Sequence, residues 1–205
     1  MLTLDHLAVS AETLEAGVAA VEERLGTRLA PGGRHAAMGT HNRLLGLGPG
    51  CYLEVIAIDP EAAPPGRPRW FDLDRFAGPP RLTNWVARCD DLSAALARAP
   101  RGTGTPMALA RGALRWQMAV PEDGRLPYNG AFPALIAWEG AGHPAAMLPE
   151  SGCRLRRLEL THPDAENLGV ALSGLIEDAR IGVRPGPAPA LRAVIDTPSG
   201  EAVLE

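Results

Sequence analysis

The sequence predicts an α+β fold made of repeated βαβββ modules, and three observations predict it. Strand-like and helix-like hydrophobic patterns follow one another in the order β-α-β-β-β three times along the 205 residues. The units recur at intervals of roughly 75 residues, a spacing that marks duplicated supersecondary units. Two of the starts also align: LDHLAVSAETL with LTNWVARCDDL pairs Leu4 with Leu82, His6 with Asn84 and Leu14 with Leu92. A single βαβββ sheet exposes an apolar face that must be buried, so such units pack together instead of folding separately.

The elements can be justified in order. Leu2 to Ser10 alternates as a strand, with Leu4, His6 and Ala8 on one face and Thr3, Asp5, Leu7 and Val9 on the other. Ser10 is placed to cap a helix over Ala11 to Leu25, in which Leu14, Val18, Val21 and Leu25 recur at helical spacing and Gly26 ends the helix. Arg28 to Gly39 is one irregular, glycine-punctuated strand. His41–Gly48 and Cys51–Asp59 form a hairpin around Gly48-Pro49-Gly50, closing the first unit near Pro60. Pro60 to Pro80 reads as a proline-rich linker. Its one ordered segment is Arg69–Phe76, RWFDLDRF, whose aromatics pin it to the core or line a pocket mouth.

The second unit, 81–145, runs through the strand LTNWVARC and a helix capped by Asp90-Asp91. Strands at Thr105–Ala110, Ala113–Val120 and Pro133–Glu139 follow. The third, 153–205, has a strand at Arg154–Thr161, a helix at Pro163–Leu175 and strands at Ala179–Arg184, Ala190–Asp196 and Glu201–Leu204. There TPSGEAVLE echoes GLGPGCYLE in placing a glycine turn before an apolar run. All three units are read as one domain over 1–205, with the linker at 60–80.

Composition narrows the chemistry. The formal net charge is -4 and no dense basic run occurs, which argues against nucleic acid as a partner. Every formal cation is an arginine. The absence of lysine excludes Schiff-base chemistry and with it a pyridoxal phosphate cofactor, and no phosphate-binding GxxxxGK[ST] loop points to a nucleotide. There is no GxSxG and no HExxH. The odd cysteines Cys51, Cys89 and Cys153 lack any CxxC spacing and read as reduced thiols of a cytoplasmic, bacterial protein. No signal peptide is expected, and no apolar run reaches the roughly 20 residues of a membrane span.

The chemically informative residue is Glu54, a carboxylate inside the apolar run CYLEVIAID. Buried alone it would be too costly, so it must face a cavity, a partner charge or a metal. His6 is its candidate partner, as metal ligand, acid/base partner or hydrogen-bonded pocket wall. Arg43, beside His41, could bind an anionic group of a ligand bidentately or pair internally with Glu54. His143, after Gly140 and Gly142, is a pocket-rim candidate. Trp138 fits a substrate platform or the core.

DHLAVS, GTHNRLLGLGPGCYLEVIAIDP and RPRWFDLDR, with LIAWEGAGHP and LRRLELTHPD further on, resemble the glyoxalase-like proteins of the vicinal oxygen chelate superfamily. The resemblance covers most of the chain and is strongest over residues 4–76. It implies curved mixed sheets enclosing a cup. It also implies a divalent metal (Zn, Ni, Mn or Fe) held by His6 and Glu54, acting as a Lewis acid on a small oxygenated substrate. Asn84 stands where a second histidine would be, and Ala134 or Ile136 where a second carboxylate would be. In the third unit Arg157 or Glu159 takes the first-strand position and Leu204 the last. A third ligand would have to come from His41, His143 or His162.

The expected function is therefore a glyoxalase-like protein binding a small oxygenated metabolite, either as a metal-assisted lyase or isomerase or as a non-catalytic, resistance-type binder. Without a metal, Glu54 would serve as a general base, its pKa raised by apolar surroundings. Two units form the cup, and the third completes the assembly within the monomer or across a homodimer.

Overall fold

The computed structural model describes residues 1–140 and 142–205; Ala141, within LIAWEGAGHP, lies outside the described residues. The first unit comprises β1 (Thr3–Ser10), α1 (Leu14–Leu25), β2 (Ala30–His35), β3 (Thr40–Gly46) and β4 (Tyr52–Ile58). The second comprises β5 (Arg81–Arg88), α2 (Leu92–Leu96), β6 (Thr105–Arg111), β7 (Leu114–Val120) and β8 (Ala134–Trp138). They form one 8-stranded sheet in the order β2-β3-β4-β1-β5-β8-β7-β6. β1 runs parallel to β4 and β5 parallel to β8, while β1 and β5 pair antiparallel and join the two units.

The sheet curls until its edges meet. Gly33 on β2 has no room for a side chain, because a Cβ there would lie 2.5 Å from Cδ of Arg111 at the end of β6. The concave face is the cup. It carries Ala8, Ile56, Val86, Met118 and Ile136.

After a short helix α3 (Pro144–Met147), the third unit contains β9 (Arg154–His162), α4 (Ala165–Leu172), β10 (Ile181–Pro185), β11 (Ala190–Thr197) and β12 (Gly200–Leu204). Its chain order repeats that of the other two, but its pairing does not. The 4-stranded order is β10-β9-β11-β12, with β9 parallel to β10 and antiparallel to β11. Its apolar face, including Leu158, Leu160 and Ile195, joins α1, α2 and the convex face of the large sheet in one continuous core.

Two local details differ from the expectation. Thr13, not Ser10, caps α1, its hydroxyl accepting from Ala16 N–H at 3.2 Å. Ser10 is fully buried at the end of β1, with its Oγ 2.6 Å from Thr83 Oγ1.

The linker segment Trp70–Arg75 turns as a 3-10 helix and sits inside the cup, where Trp70, Phe71 and Leu73 are buried. Phe71 and Asp72 adopt left-handed backbone at φ 58° and 53°. Burying three such side chains contributes roughly 5–8 kcal/mol. That offsets the roughly 2–6 kcal/mol of two left-handed non-glycine residues.

Candidate functional site

The site begins with a break in β1. The register against β5 goes from Leu4–Ala87 directly to His6–Val86, leaving Asp5 as an extra residue. Such a bulge turns two consecutive side chains to the same face. Strict alternation had set Asp5 opposite His6 and grouped Leu4 with it. In the structure Asp5 and His6 both enter the cup, while Leu4 joins the core on the other side.

Asp5 is fully buried and collects donors from both units. Its Oδ1 lies 2.6 Å from His6 Nδ1; its Oδ2 accepts from Trp138 Nε1–H at 3.0 Å and lies 2.9 Å from His143 Nε2. His143 Nδ1 accepts from Ala145 N–H, so this ring donates to Asp5 through Nε2. Burial would raise the Asp5 pKa, but the hydrogen bonds from His143 and His6 hold it well below the usual carboxylate range. With Nδ1–H committed to Asp5, His6 turns Nε2 toward Glu54, whose Oε2 is 3.5 Å away. Tyr52, its cross-strand neighbour on β4, stacks on the His6 ring at 4.4 Å.

Glu54 is held from its other side by Asn42, whose Nδ2 donates to Oε1 at 2.5 Å. The Asn42 Oδ1 accepts from Gly33 N–H at 2.8 Å and from Arg111 Nη1 at 3.1 Å, which fixes the orientation of the amide. Arg111 also donates to His35 Nε2 at 3.2 Å, while His35 Nδ1 meets Thr40 Oγ1.

The pKa values diverge. Burial would keep His6 neutral, but hydrogen bonds to Asp5 and Glu54 raise it to about 9. Burial would raise Glu54, but the His6 hydrogen bond and charge pull it down to about 2. This reverses the raised pKa expected from its apolar neighbours: the strand is apolar in sequence, but its cup face meets His6 and Asn42. His35 is pushed down to about 4, first by burial, and is neutral. At neutral pH two anions, Asp5 and Glu54, therefore face the cations His6 and Arg111, with a third cation, Arg88, placing Nη1 3.5 Å from Asp5 Oδ2. Burial likewise pushes the Cys51 thiol up to about 12 and leaves it unreactive.

His6, Glu54, Asn42 and Arg111 line a cavity of about 30 Å³ whose walls include His35, Trp116 and Trp138 and, from the linker, Trp70 and Phe71. Trp70 Nε1 is buried there without a partner among the described residues.

His6, Glu54 and Trp138 are thus brought together, and His143 stands one step behind through Asp5. Asn84 shares the cup face but lies beyond Phe71, in a separate cleft. His41 and Arg43 are not in the cavity. They pair with Ala57 and Val55, which face the convex core, and Arg43 is exposed. Neither the Arg43–Glu54 pair nor an Arg43 anion site at the cavity forms, and Arg111 supplies the guanidinium instead. His162 lies away from the cup, against Tyr128. Glu159 sits on the small sheet, ringed by Arg157, Arg184 and Arg192 at 2.8–3.3 Å.

The donor set does not fit a resident metal. His6 Nε2 and Glu54 Oε2 are two donors, the third candidate, His35 Nε2, already accepts from a guanidinium, and among the described residues no three His, Cys, Asp or Glu converge. No helix among the described residues is long and apolar enough to cross a membrane.

Comparison with known proteins places these features in context. The family model described as a glyoxalase-like domain matches residues 4–176. No curated protein matches the chain by sequence. Among solved structures, a hypothetical protein from Staphylococcus aureus superposes with a TM-score of 0.65 at 13% identity, covering 92% of this chain and 88% of that one. Methylmalonyl-CoA epimerase from Mycobacterium tuberculosis gives 0.43 at 20% identity over 68% of this chain and 88% of that one. The Streptomyces coelicolor methylmalonyl-CoA epimerase in complex with 2-nitronate-propionyl-CoA gives 0.44 at 15% identity over 69% and 100%.

Proposed function

The chain belongs to the glyoxalase-like domain family, and from that premise we propose that it binds a small oxygenated carbonyl compound in its cup and moves a proton on it. One observation carries the reading. A buried imidazolium and a buried carboxylate face one small cavity with 3.5 Å between Nε2 and Oε2. Their pKa values of about 9 and about 2 leave the acid protonated and the base ionised at neutral pH.

A ligand entering between them separates the pair. Glu54 then loses the charge that depresses its pKa and becomes a better base as the reaction needs one. In the step proposed, Glu54 takes a proton from the carbon bearing the ligand's hydroxyl, and the bonding pair forms the enediol double bond. His6 Nε2–H protonates the carbonyl oxygen. Glu54 then delivers its proton to the former carbonyl carbon while neutral His6 takes the proton of the original hydroxyl as the new carbonyl forms, which completes an isomerisation with no net change in protons or electrons. Asp5 holds the His6 tautomer throughout, and Arg111 and Asn42 fix the base.

A second reading, non-catalytic binding, is favoured by the cavity volume of about 30 Å³, which admits only a few heavy atoms while Trp70 and Phe71 stay in place. Hydroxyacetone and glycolaldehyde in D₂O separate the two by NMR. The enzyme reading expects deuterium at the α-carbon above background, reduced at least ~100-fold in Glu54→Gln. Saturable shifts of the Trp138 indole N–H without exchange would select the binder. Neither exchange nor shifts would sink both.

A further inference from the structure

The cup does not end at the His6–Glu54 cavity. On the other side of the Phe71 ring lies an open cleft of about 440 Å³, between the cup rim and the small sheet. That volume suits an ordinary small-molecule ligand. Its third wall, Pro189–Leu191 and Glu205, lies beyond the part of the chain that matches the family.

Three guanidinia, those of Arg75, Arg81 and Arg125, reach this cleft. Each has five N–H donors and few are engaged. Arg75 spends Nη1 on Asp72 at 2.6 Å, Arg125 places Nε near the same carboxylate, and Arg81 spends Nη1 on the carbonyls of Ala77 and Pro79. Of the two lining carboxylates, Glu205 is already paired with Arg192 at 3.2 Å. Asp72 is thus already paired with Arg75 and Arg125, and Arg81 has no carboxylate partner among the described residues. Arg81 is further held in place over the Phe76 ring at 4.3 Å.

The floor carries an independent sign. Asn84 is 4% exposed and lines the cleft, yet no hydrogen bond to its side-chain amide is made among the described residues. Its amide is therefore left free of protein partners at the cleft floor, where a ligand's polar group can pair with it. Leu82, Leu126 and Leu191 supply apolar wall between this floor and the arginine rim.

We propose that this cleft is a binding site for an amphipathic organic anion. A carboxylate or phosphate is held at the Arg75–Arg81–Arg125 rim, an apolar body lies along the leucine wall, and a polar tip reaches Asn84. The proposal stands apart from the chemistry of the His6–Glu54 cavity, from which Phe71 separates it.

Octanoate, octyl phosphate, octanol and octylamine, titrated into ¹⁵N-labelled full-length protein, test it. Octanoate or octyl phosphate is expected to bind saturably, to shift the Asn84 side-chain amide, and to leave the Trp138 indole N–H of the inner cavity unmoved. Added salt should weaken it. The double variant Arg81→Gln, Arg125→Gln, altered only at exposed positions, should bind about tenfold more weakly. Octanol or octylamine binding as tightly as the anions would overturn the proposal. So would shifts centred on Trp138, unchanged affinity in the double variant, or no saturable binding by either anion.

Discussion

Replacing Glu54 with glutamine probes the charge arrangement of the cavity directly. Burial alone would hold His6 neutral, yet hydrogen bonds to Asp5 and Glu54 raise its pKa from 6.5 to about 9. A raised pKa in the folded state stabilises the fold fully below pH 6.5 and loses that contribution as pH climbs through about 9. The interval corresponds to ~3 kcal/mol. Glu54 behaves oppositely. Burial would raise it, but His6 pulls it from 4.5 to about 2, so its contribution is complete above pH 4.5 and disappears toward about 2. Because both shifts describe largely one interaction, they do not add. The contribution of this pair should be level between pH 4.5 and 6.5 and decline on either side; buried His35, pushed down to about 4, adds a separate loss of stability as pH falls from 6.5 toward 4 in both proteins. Glutamine keeps an oxygen to accept from Asn42 but carries no charge, leaving Asp5 as the sole anion against His6. The His6 pKa should then fall by about one unit, and the alkaline decline should shrink by ~1–2 kcal/mol. Urea unfolding across pH, with ¹⁵N imidazole shifts of His6, reads both quantities. An identical alkaline decline and an identical His6 titration in the two proteins would refute the coupling.

Asp5→Asn removes the charge shared by His6, His143 and Trp138; a loss of about 3 kcal/mol in urea unfolding is expected, together with a lower His6 pKa and a displaced Trp138 indole N–H resonance. Arg111→Gln breaks the contact between β6 and Asn42 and His35, costing ~1–3 kcal/mol. The His35 pKa should rise from about 4 but stay below 6.5 in an NMR titration, because burial is its larger cause. Gly17→Ala sets helix propensity, about 1 kcal/mol in favour of alanine, against a Cβ placed 2.6 Å from Val55 Cγ1 and 2.7 Å from Ala11 Cβ. Net destabilisation of ~1 kcal/mol in thermal or urea unfolding is expected, and a stabilised variant would contradict the tight seating of α1 on β4.

What was legible in the sequence was local. Period-two alternation located β1, two apolar runs around Gly48-Pro49-Gly50 located the β3–β4 hairpin, the α1 pattern located its buried face, and a carboxylate in an apolar strand marked Glu54 as facing a cavity or a partner. The unread parts are long-range or break the period. Asp5 was assigned to the wrong face because a bulge leaves no mark in the hydrophobic pattern. Arg111 joins Asn42 across 69 residues of chain, a contact no window contains. The choice of Arg43 over its neighbour Asn42 had a signal that could have corrected it: antiparallel pairing sets Arg43 beside Val55, away from the face of Glu54. The aromatics of Arg69–Phe76 suggested a pocket wall, but that they fill the cup depends on two left-handed residues that the residue types do not announce.

The bulge also shows where the chemistry of this chain resides. β9 carries a similar irregularity: against β11 its register steps from Arg157–Val194 to Leu155–Ile195, leaving Arg156 over. Its turned-out side chains are Arg156, paired with Asp196 at 3.0 Å, and Arg157, paired with Glu159 at 2.8 Å. A comparable backbone device thus presents a buried acid and a buried imidazole to the cup in the first unit, and two arginines to an exposed charged face in the third. The bulge delivers adjacent side chains to one face wherever it occurs, but a reactive pair results only where other elements bury it. In the first unit those elements are Trp138 and His143 from the second unit and Trp70 and Phe71 from the linker. The site is therefore a property of the assembled cup, and substitutions in the linker or the second unit should alter the ionisation of His6 as directly as substitutions on β1.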